Sequence, residues 1–394
     1  MRFHIIFIAV LVSNTAISQI KSGLILSSSD KSPIAYVNLY LKKSSSGTIT
    51  NEDGNYKLIR EIEIDSVVIS HIGYKRLALN ANDFFKSDYD TIYLDPQIIE
   101  LENVVIFGGE PIEVIRKAVK NIPKNYPVNK NNISAHFRNI IQENDDYVIF
   151  LEGALLIQNQ SYLSGKKNLS KVQVLDVRSA SNKSKIFTQY KASPENVINA
   201  YDFFKNKPFL SKDLKHYNFQ LVKIVSYENY EVYVIKFEPK SGLKRKYSFA
   251  GTVFIETKTL AFIKLGYVIT FSDKYSFIKN QGLQNEYNQT FLSDKYEILF
   301  KPFDDKWIVS YIKTETKSIV AFLKTKKEIQ ISLTQELLAS RSELNNPKKL
   351  NEQKVININE DIYKHSNAFD ESLWSEFNQI VPNRKIKALI NSDK

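Results

Sequence analysis

The chain of 394 residues contains no cysteine. Disulfides, thiol nucleophiles and thiolate metal sites are therefore excluded. This absence is no argument for the cytoplasm, because exported proteins can fold without disulfides. Histidine is scarce too, with five in the chain. His71, His136, His216 and His365 are followed three residues later by Tyr74, Asn139, Phe219 and Ala368. None starts the His-x-x-Glu or His-Glu-x-x-His pattern that a zinc hydrolase needs. A Gly-x-Ser-x-Gly elbow, a Walker loop and a dinucleotide glycine fingerprint are all missing. Glycine is sparse at 12 residues, against 22 Tyr and 24 Phe. That balance favours β-structure with well-filled faces. The net charge of +11 is spread as lysines through strands and turns, without a dense arginine block. Nucleic acid is thus not the expected partner, and anionic glycan or lipid headgroups at an envelope surface suit the excess better.

There is one long apolar run, at the start. Met1-Arg2 is followed by Phe3 to Val12, broken by His4, and then by the small-residue tail Ser13 to Ser18. Ala16 and Ser18 occupy the −3 and −1 positions of a cleavage before Gln19. This is the grammar of a secretory signal peptide over residues 1–18. The run is shorter than the roughly 20 apolar residues a bilayer span needs. With no cysteine behind it, a lipoprotein anchor is not expected. The expectation is a mature chain without a transmembrane segment, exported to the periplasm or associated with the outer membrane.

Behind it, the stretch Gly47 to Leu58 pairs β-formers with a turn cluster. Thr48, Ile49 and Thr50 lead into Asn51-Glu52-Asp53-Gly54-Asn55, where Gly54 is free to take positive φ. Tyr56 and Leu58 then alternate with polar neighbours. Val67, Val68 and Ile69 form a buried-strand run that Gly73 breaks before Tyr74. On Gly47, Thr48, Gly54, Tyr56, Ile72, Gly73 and Tyr74, the stretch resembles the carboxypeptidase regulatory-like domain, a small transthyretin-like β-sandwich. The first aspartate of that pattern is replaced here by Asn51. The resemblance covers about residues 20–95 and implies an appendage without catalytic residues.

After Asp95-Pro96, the segment Gln97 to Gly109 reads as an extended linker or edge strand. Glu110-Pro111 opens a helix with Ile112, Ile115, Val119 and Ile122 on one stripe, stopped by Pro123 and Pro127. Strands are then expected at Ala135–Glu143, Tyr147–Gln158, Lys171–Val177, Phe219–Tyr227 and Glu231–Phe237. Hairpins are expected across Gly251–Phe271 and Tyr296–Thr314, with one long strand over Ser318–Ser332. A helix capped by Ser193-Pro194-Glu195 interrupts them, and a short helix carrying Trp374 and Phe377 closes the chain. The fold class expected is mainly β: an N-terminal transthyretin-like sandwich, a linker helix, then a large antiparallel sheet or half-barrel with a few helices. The boundaries are 19–95 for the sandwich, 96–128 for the linker, 129–340 for the β-domain and 341–394 for the tail. The hairpin strands are similar to half-barrels of periplasmic lipoprotein carriers. The whole arrangement resembles exported envelope proteins that pair a regulatory-like domain with an uncharacterised β-domain.

The carboxylate pairs Asp145-Asp146 and Asp304-Asp305 fall in turns, where solvation explains them better than acid–base or calcium chemistry. Tyr227, Tyr230 and Tyr233 could stack a sugar, but cross-strand packing is the favoured reading. If a cleft exists, Leu163–Lys171, Lys240–Ser248 and Asp273–Asn288 are the stretches expected to line it. No catalytic, cofactor-binding or metal residue is assigned, and no cofactor is expected. The function favoured is a non-enzymatic binding or scaffolding protein of the envelope, its partner an unidentified envelope protein or glycan. The alternatives are a hydrolase or peptidase, or an accessory to one, acting on envelope polymers, and a carrier of an apolar ligand in a half-barrel.

Overall fold

The computed structural model describes residues 19–61, 65–97, 110–159, 170–181, 192–201, 213–271, 277–280, 287–345, 347–366, 374 and 377–392. The expected leader lies outside these, as do most of the linker segment and most of the helix expected around Trp374.

The N-terminal sandwich contains β1 (Ile20–Ser27), β2 (Asn38–Leu41), β3 (Gly47–Ile49), β4 (Asn55–Ile59), β5 (Ser66–Ser70), β6 (Leu77–Asn80), α1 (Ala81–Lys86) and β7 (Thr91–Leu94). One sheet has the order β4-β1-β7, the other β3-β2-β5-β6. Ile25, Leu39, Leu41, Leu58, Val67 and Ile69 fill the core between them. The turn before β4 is built as its residues dictate. Asn51 Oδ1 accepts from the amides of Asp53 at 3.0 Å and Asn55 at 2.8 Å, while Gly54 adopts φ 77°. Gly73 also sits at positive φ, 85°. One feature departs from a free-standing sandwich. All four residues of β2 are buried, so Asn38 and Tyr40 on its outer face are covered as well.

What covers them is a second, larger sheet. Two short helices precede it, α2 (Pro111–Lys120) and α3 (Ile122–Asn125). The buried residues of α2 are Val114, Ile115 and Ala118, so the apolar stripe is rotated from the expected Ile112–Val119 line. Pro123 does not simply stop the helix; it stands in the first turn of α3, where a missing amide costs nothing. Then come β8 (Asn131–Glu143), β9 (Asp146–Asn159), β10 (Lys171–Ser181), α4 (Glu195–Tyr201), β11 (Tyr217–Tyr227), β12 (Tyr230–Pro239), β13 (Tyr247–Glu256), β14 (Phe262–Phe271), β15 (Phe277–Asn280), β16 (Tyr287–Phe303), β17 (Lys306–Phe322), β18 (Glu328–Glu343), β19 (Val355–Ile356) and α5 (Arg384–Ser392).

Twelve of these strands form one sheet in the order β11-β12-β13-β14-β16-β17-β18-β8-β9-β10-β19, with β15 beside β16. It is not closed into a barrel. The chain enters in the middle at β8, runs out to β10, crosses to the far edge at β11 and meanders back to lie beside β8. Hairpin turns use positive φ at Asn144, at Glu228 and Asn229, and at Asp304. The single strand expected over Ser318–Ser332 is two strands, β17 and β18, joined by a polar turn with Lys326 at φ 53°. The buried positions change parity across it, from Ser318 and Val320 to Ile329 and Ile331, but the turn itself, Leu323–Lys327, has no Gly, Pro, Asn or Asp to mark it in the sequence. The helix expected near Ser193 is α4, and Ser193 Oγ accepts from the Glu195 amide at 3.1 Å. Helix α5 had no sequence expectation.

The two faces of the sheet differ. On one, Phe137, Leu155, Val253, Ile312 and Leu337 join Val114 and Ile115 of α2 and Val197 and Ile198 of α4 in a single apolar core. The other face carries the charges described next.

Candidate functional site

Strand register places six charged side chains in one row across the sheet. Glu297 of β16 is opposite Lys313 of β17, and Lys313 is opposite Glu336 of β18. Glu336 is opposite Arg138 of β8, Arg138 opposite Glu152 of β9, and Glu152 opposite Arg178 of β10. Directly opposed residues share a face, so the signs alternate along a ladder of favourable cross-strand pairs. Glu152 is the hub. Its Oε1 accepts from Arg138 Nε at 2.9 Å, and its Oε2 accepts from Arg178 Nε at 2.9 Å and Nη2 at 2.7 Å. Its side chain is 0% exposed, and those of Arg138 and Arg178 are 2% and 3% exposed. Such groups cannot be buried singly, since an unpaired charge in the interior costs several kcal/mol. Burial alone would raise the Glu152 carboxyl. The Arg138 guanidinium, with His136 and Arg178, outweighs burial and holds it far below the ordinary carboxylate range.

His136 lies on the same face, two residues from Arg138. Its Nε2 is 3.1 Å from Glu152 Oε1, and its Nδ1 accepts the Ile380 amide at 3.3 Å. An accepting Nδ1 fixes the proton on Nε2, donated to Glu152. Burial pushes the imidazole below its ordinary value against the opposing pull of Glu152, in keeping with a neutral ring. A histidine paired with a buried carboxylate looks like the base and orienting acid of a catalytic triad. Here both ring nitrogens are engaged by protein groups, so neither is left to take a proton from a substrate.

The group on Nδ1 belongs to an extended strap over residues 378–381. The Ile380 carbonyl accepts from Arg138 Nη2, and Gln379 Oε1 accepts from Arg178 Nη2 at 2.8 Å. Trp374 lies under the Arg178 guanidinium, 4.3 Å from its ring centroid, and donates Nε1–H to Asp176 at 2.9 Å. The opposite side of the strap meets the sandwich. Asn378 Oδ1 accepts from the Ile59 amide at 2.9 Å, and Asn378 Nδ2 donates to Ser46 Oγ at 3.1 Å. Thr48 Oγ1 donates to the Gln379 carbonyl at 3.3 Å. Where ladder, sandwich and strap meet there is a polar pocket of about 240 Å³.

The family model described as a CarboxypepD_reg-like domain matches residues 21–106. Residues 21–106 are a carboxypeptidase regulatory-like domain. None of the curated proteins matches the chain. Among solved structures, a DUF1329 family protein from Desulfovibrio piger is similar over 61% of this chain and 95% of its own, at 13% identity and a TM-score of 0.26. A putative outer membrane lipoprotein-sorting protein domain from Vibrio parahaemolyticus is similar over 60% and 94%, at 12% identity and a TM-score of 0.24. A LolA superfamily protein from Nitrosomonas europaea is similar over 62% and 96%, at 10% identity and a TM-score of 0.21. At such TM-scores these likenesses carry no functional argument.

The regulatory-like domain brings its own groups to the junction. Asn51, the departure from the family's aspartate, donates Nδ2–H to the Val381 carbonyl at 3.1 Å. An aspartate would keep the turn but would set a carboxylate against that carbonyl. Glu52 and Tyr36 meet the ladder at Lys313, whose Nζ is 2.8 Å from Glu52 Oε1 and 2.7 Å from Tyr36 Oη. Burial works against the Lys313 charge, but Tyr36, Glu336 and Glu52 raise it above the ordinary lysine value. Farther along, Lys301 of β16 reaches up to the Ser45 carbonyl at 2.7 Å, and burial pushes it down to about 7. Arg76 pairs with the buried Glu228 at 2.9 Å, and the Gly73 amide donates to the Ser226 carbonyl at 3.1 Å. The covered outer face of β2 is this contact: Asn38 Nδ2 donates to Tyr227 Oη at 3.2 Å.

Of the histidines and carboxylate pairs weighed from sequence for chemistry, His136 enters the site. His216 ends a short 3₁₀ turn, and His365 stands 3.6 Å from Glu360. Asp145 and Asp304 lie in hairpin turns. Tyr227 packs on Trp307 with ring centroids 6.3 Å apart, and Tyr230 at 5.4 Å, so the tyrosines serve cross-strand packing. Lys240–Ser248 holds Arg245 against Asp213 at 2.8 Å. Much of the other two suspected cleft stretches lies outside the described residues. Among the described residues, no three His, Asp or Glu side chains are grouped to hold a metal ion. No helix there is long and apolar enough to cross a membrane. Sequence reading missed Arg138, Glu152, Arg178, Lys313 and Glu336. The available signal was in β8 and β9, whose interiors each hold a single charge, Arg138 and Glu152; β10, β17 and β18 carry several charges and single none out.

Proposed function

We propose that this protein is a non-enzymatic binding or scaffolding protein of the cell envelope. The large sheet is the platform, the regulatory-like domain is fixed on its charged face, and the C-terminal strap locks the two together. The observation that carries this reading is the engagement of both His136 nitrogens and both Glu152 oxygens by protein groups. This constellation of catalytic residue types is committed to joining domains. The carrier alternative is disfavoured because side chains of α2 and α4 fill the apolar face that a lipid would need. Export rests on Arg2, the Phe3–Val12 run and the small-residue tail, and it predicts a mature chain beginning at Gln19. We take the working division as sandwich over 19–95, linker over 96–128, β-domain over 129–340 and tail over 341–394.

The test is a panel of peptide, ester and glycan substrates offered to purified full-length protein, with and without zinc or calcium. The expected result is no turnover above background. Turnover that is abolished by His136→Asn in a protein still folded by circular dichroism would overturn the reading. Mass spectrometry of the native protein with Met1 intact would remove its envelope part.

A further inference from the structure

One point of the ladder keeps hydrogen-bonding capacity in reserve. Arg138 uses Nε on Glu152 and Nη2 on the Ile380 carbonyl. Its Nη1 is ion-paired with Glu336 Oε2 at 3.7 Å, longer than a hydrogen bond. Glu336 has given Oε1 to the Tyr311 hydroxyl. The two side chains are 2% and 8% exposed, and both line the 240 Å³ pocket. A donor and an acceptor of opposite charge thus face the pocket side by side, joined by a long ion pair. A partner that hydrogen-bonds to both at once replaces that long contact with two charge-assisted hydrogen bonds.

The rest of the pocket says what that partner is. Its charged lining is Arg138 and Lys313 against Glu52, Glu315 and Glu336. A simple anion would meet a net negative wall and a simple cation would meet Arg138. A zwitterion meets both charges correctly. Ile140, Ile380, Val381 and Ile386 give the pocket an apolar side, with Tyr147 at its edge. The volume falls below the roughly 300–1,000 Å³ of ordinary small-molecule sites, which limits the occupant to about the size of an amino acid or dipeptide.

We propose that the cavity bounded by Arg138, Glu336, Lys313, Glu52 and Ile380 is a binding site for a small zwitterion, an α-amino acid with an apolar side chain or a short peptide bearing one. The carboxylate lies on Arg138 Nη1 with Lys313 beside it, the ammonium on Glu336 Oε2, and the side chain against Ile140 and Ile386. Asn51 and Glu52 come from the regulatory-like domain, and Ile380 and Val381 from the strap. The site is complete only when both are seated on the sheet. Ligand binding therefore stabilises the docked arrangement by mass action. The inference rests on the non-catalytic reading of the ladder, and it names a ligand for that reading.

The experiment is isothermal titration of full-length protein with leucine, phenylalanine and leucyl-leucine, paired with N-acetyl-leucine and leucine amide, each of which lacks one charge. Zwitterions are expected to bind, with the blocked compounds at least tenfold weaker. Glu336→Gln, which keeps the hydrogen bond to Tyr311, is expected to weaken leucine binding tenfold or more. Glu315→Gln at the rim serves as a second variant that leaves the ladder intact, and it is expected to weaken binding less. Equal binding of leucine and N-acetyl-leucine would overturn the zwitterion assignment. No heat and no shift in melting temperature with any zwitterion at millimolar concentration would overturn the site. Either failure leaves the scaffold reading standing, whereas turnover of a substrate would break that reading without touching the titration.

Discussion

The two faces of the twelve-stranded sheet are covered by different physics. On the apolar face, α2 and α4 lie over Phe137, Leu155 and Ile312. What matters there is area removed from water, about 25 cal/mol per Å², and it accepts many arrangements of similar volume. On the charged face, the regulatory-like domain and the strap lie over Glu152, Arg138 and Arg178. What matters there is pairing, and a partner displaced by one residue leaves a charge alone. The apolar face sets how much stability the sheet gains. The charged face sets which segments may sit on it and in what register, because Ile380 presents the amide that His136 accepts and the carbonyl to which Arg138 donates.

The comparison breaks hardest at the hub. Glu152→Gln changes shape little but strands two arginines, and it is expected to cost about 3–5 kcal/mol in urea melts. A loss below 1 kcal/mol would show that the ladder is not held by charge. Next comes the strap. Asn378→Ala leaves the Ile59 amide without its acceptor and is expected to cost about 1–3 kcal/mol. It should also speed proteolysis between the regulatory-like domain and the sheet. An unchanged digestion pattern would remove the strap from the docking argument. On the apolar face the equally small change Ile115→Val in α2 is expected to cost only about 0.5–1.5 kcal/mol. If it cost as much as Glu152→Gln, the contrast between the faces would fail.

The smallest effect at neutral pH sharpens the boundary between the two. Lys301 is a base whose folded value is depressed to about 7 by burial beneath Ser45. Above the ordinary lysine value both states are neutral and no penalty applies. As pH falls toward 7 the unfolded chain takes up a proton that the folded one refuses, so stability is lost through that window and levels off below it. Lys301→Met is expected to flatten the slope of stability between pH 7 and 10 and to leave the protein no less stable at pH 7. A slope identical to wild type in denaturant melts across that window would assign the pH dependence elsewhere.

Several of these elements can be read from the chain alone. The Asn51–Gly54 turn, the Gly73 break, the Ser193 cap and most of the hairpin strands follow from local rules, because two-residue alternation and turn chemistry act over a few neighbours. The β17–β18 turn was hidden because Leu323–Lys327 contains no Gly, Pro, Asn or Asp, the residues that announce a turn. Helix α5 was hidden because its apolar residues Ile386, Leu389 and Ile390 are too few to stand out without the Ile140 and Phe150 surface they cover.

By itself the sequence determined a regulatory-like sandwich followed by a β-rich region without thiol chemistry, since these depend on residue type and short spacing. Only the tertiary structure decided that Arg138, Glu152, Arg178, Glu336 and Lys313 form one ladder. They lie up to 198 positions apart, in Arg138 and Glu336, and register between distant strands is fixed by the whole sheet. It also decided that Asn51 reaches Val381 and that both nitrogens of His136 are engaged. Burial makes these contacts matter, and burial belongs to the assembled molecule.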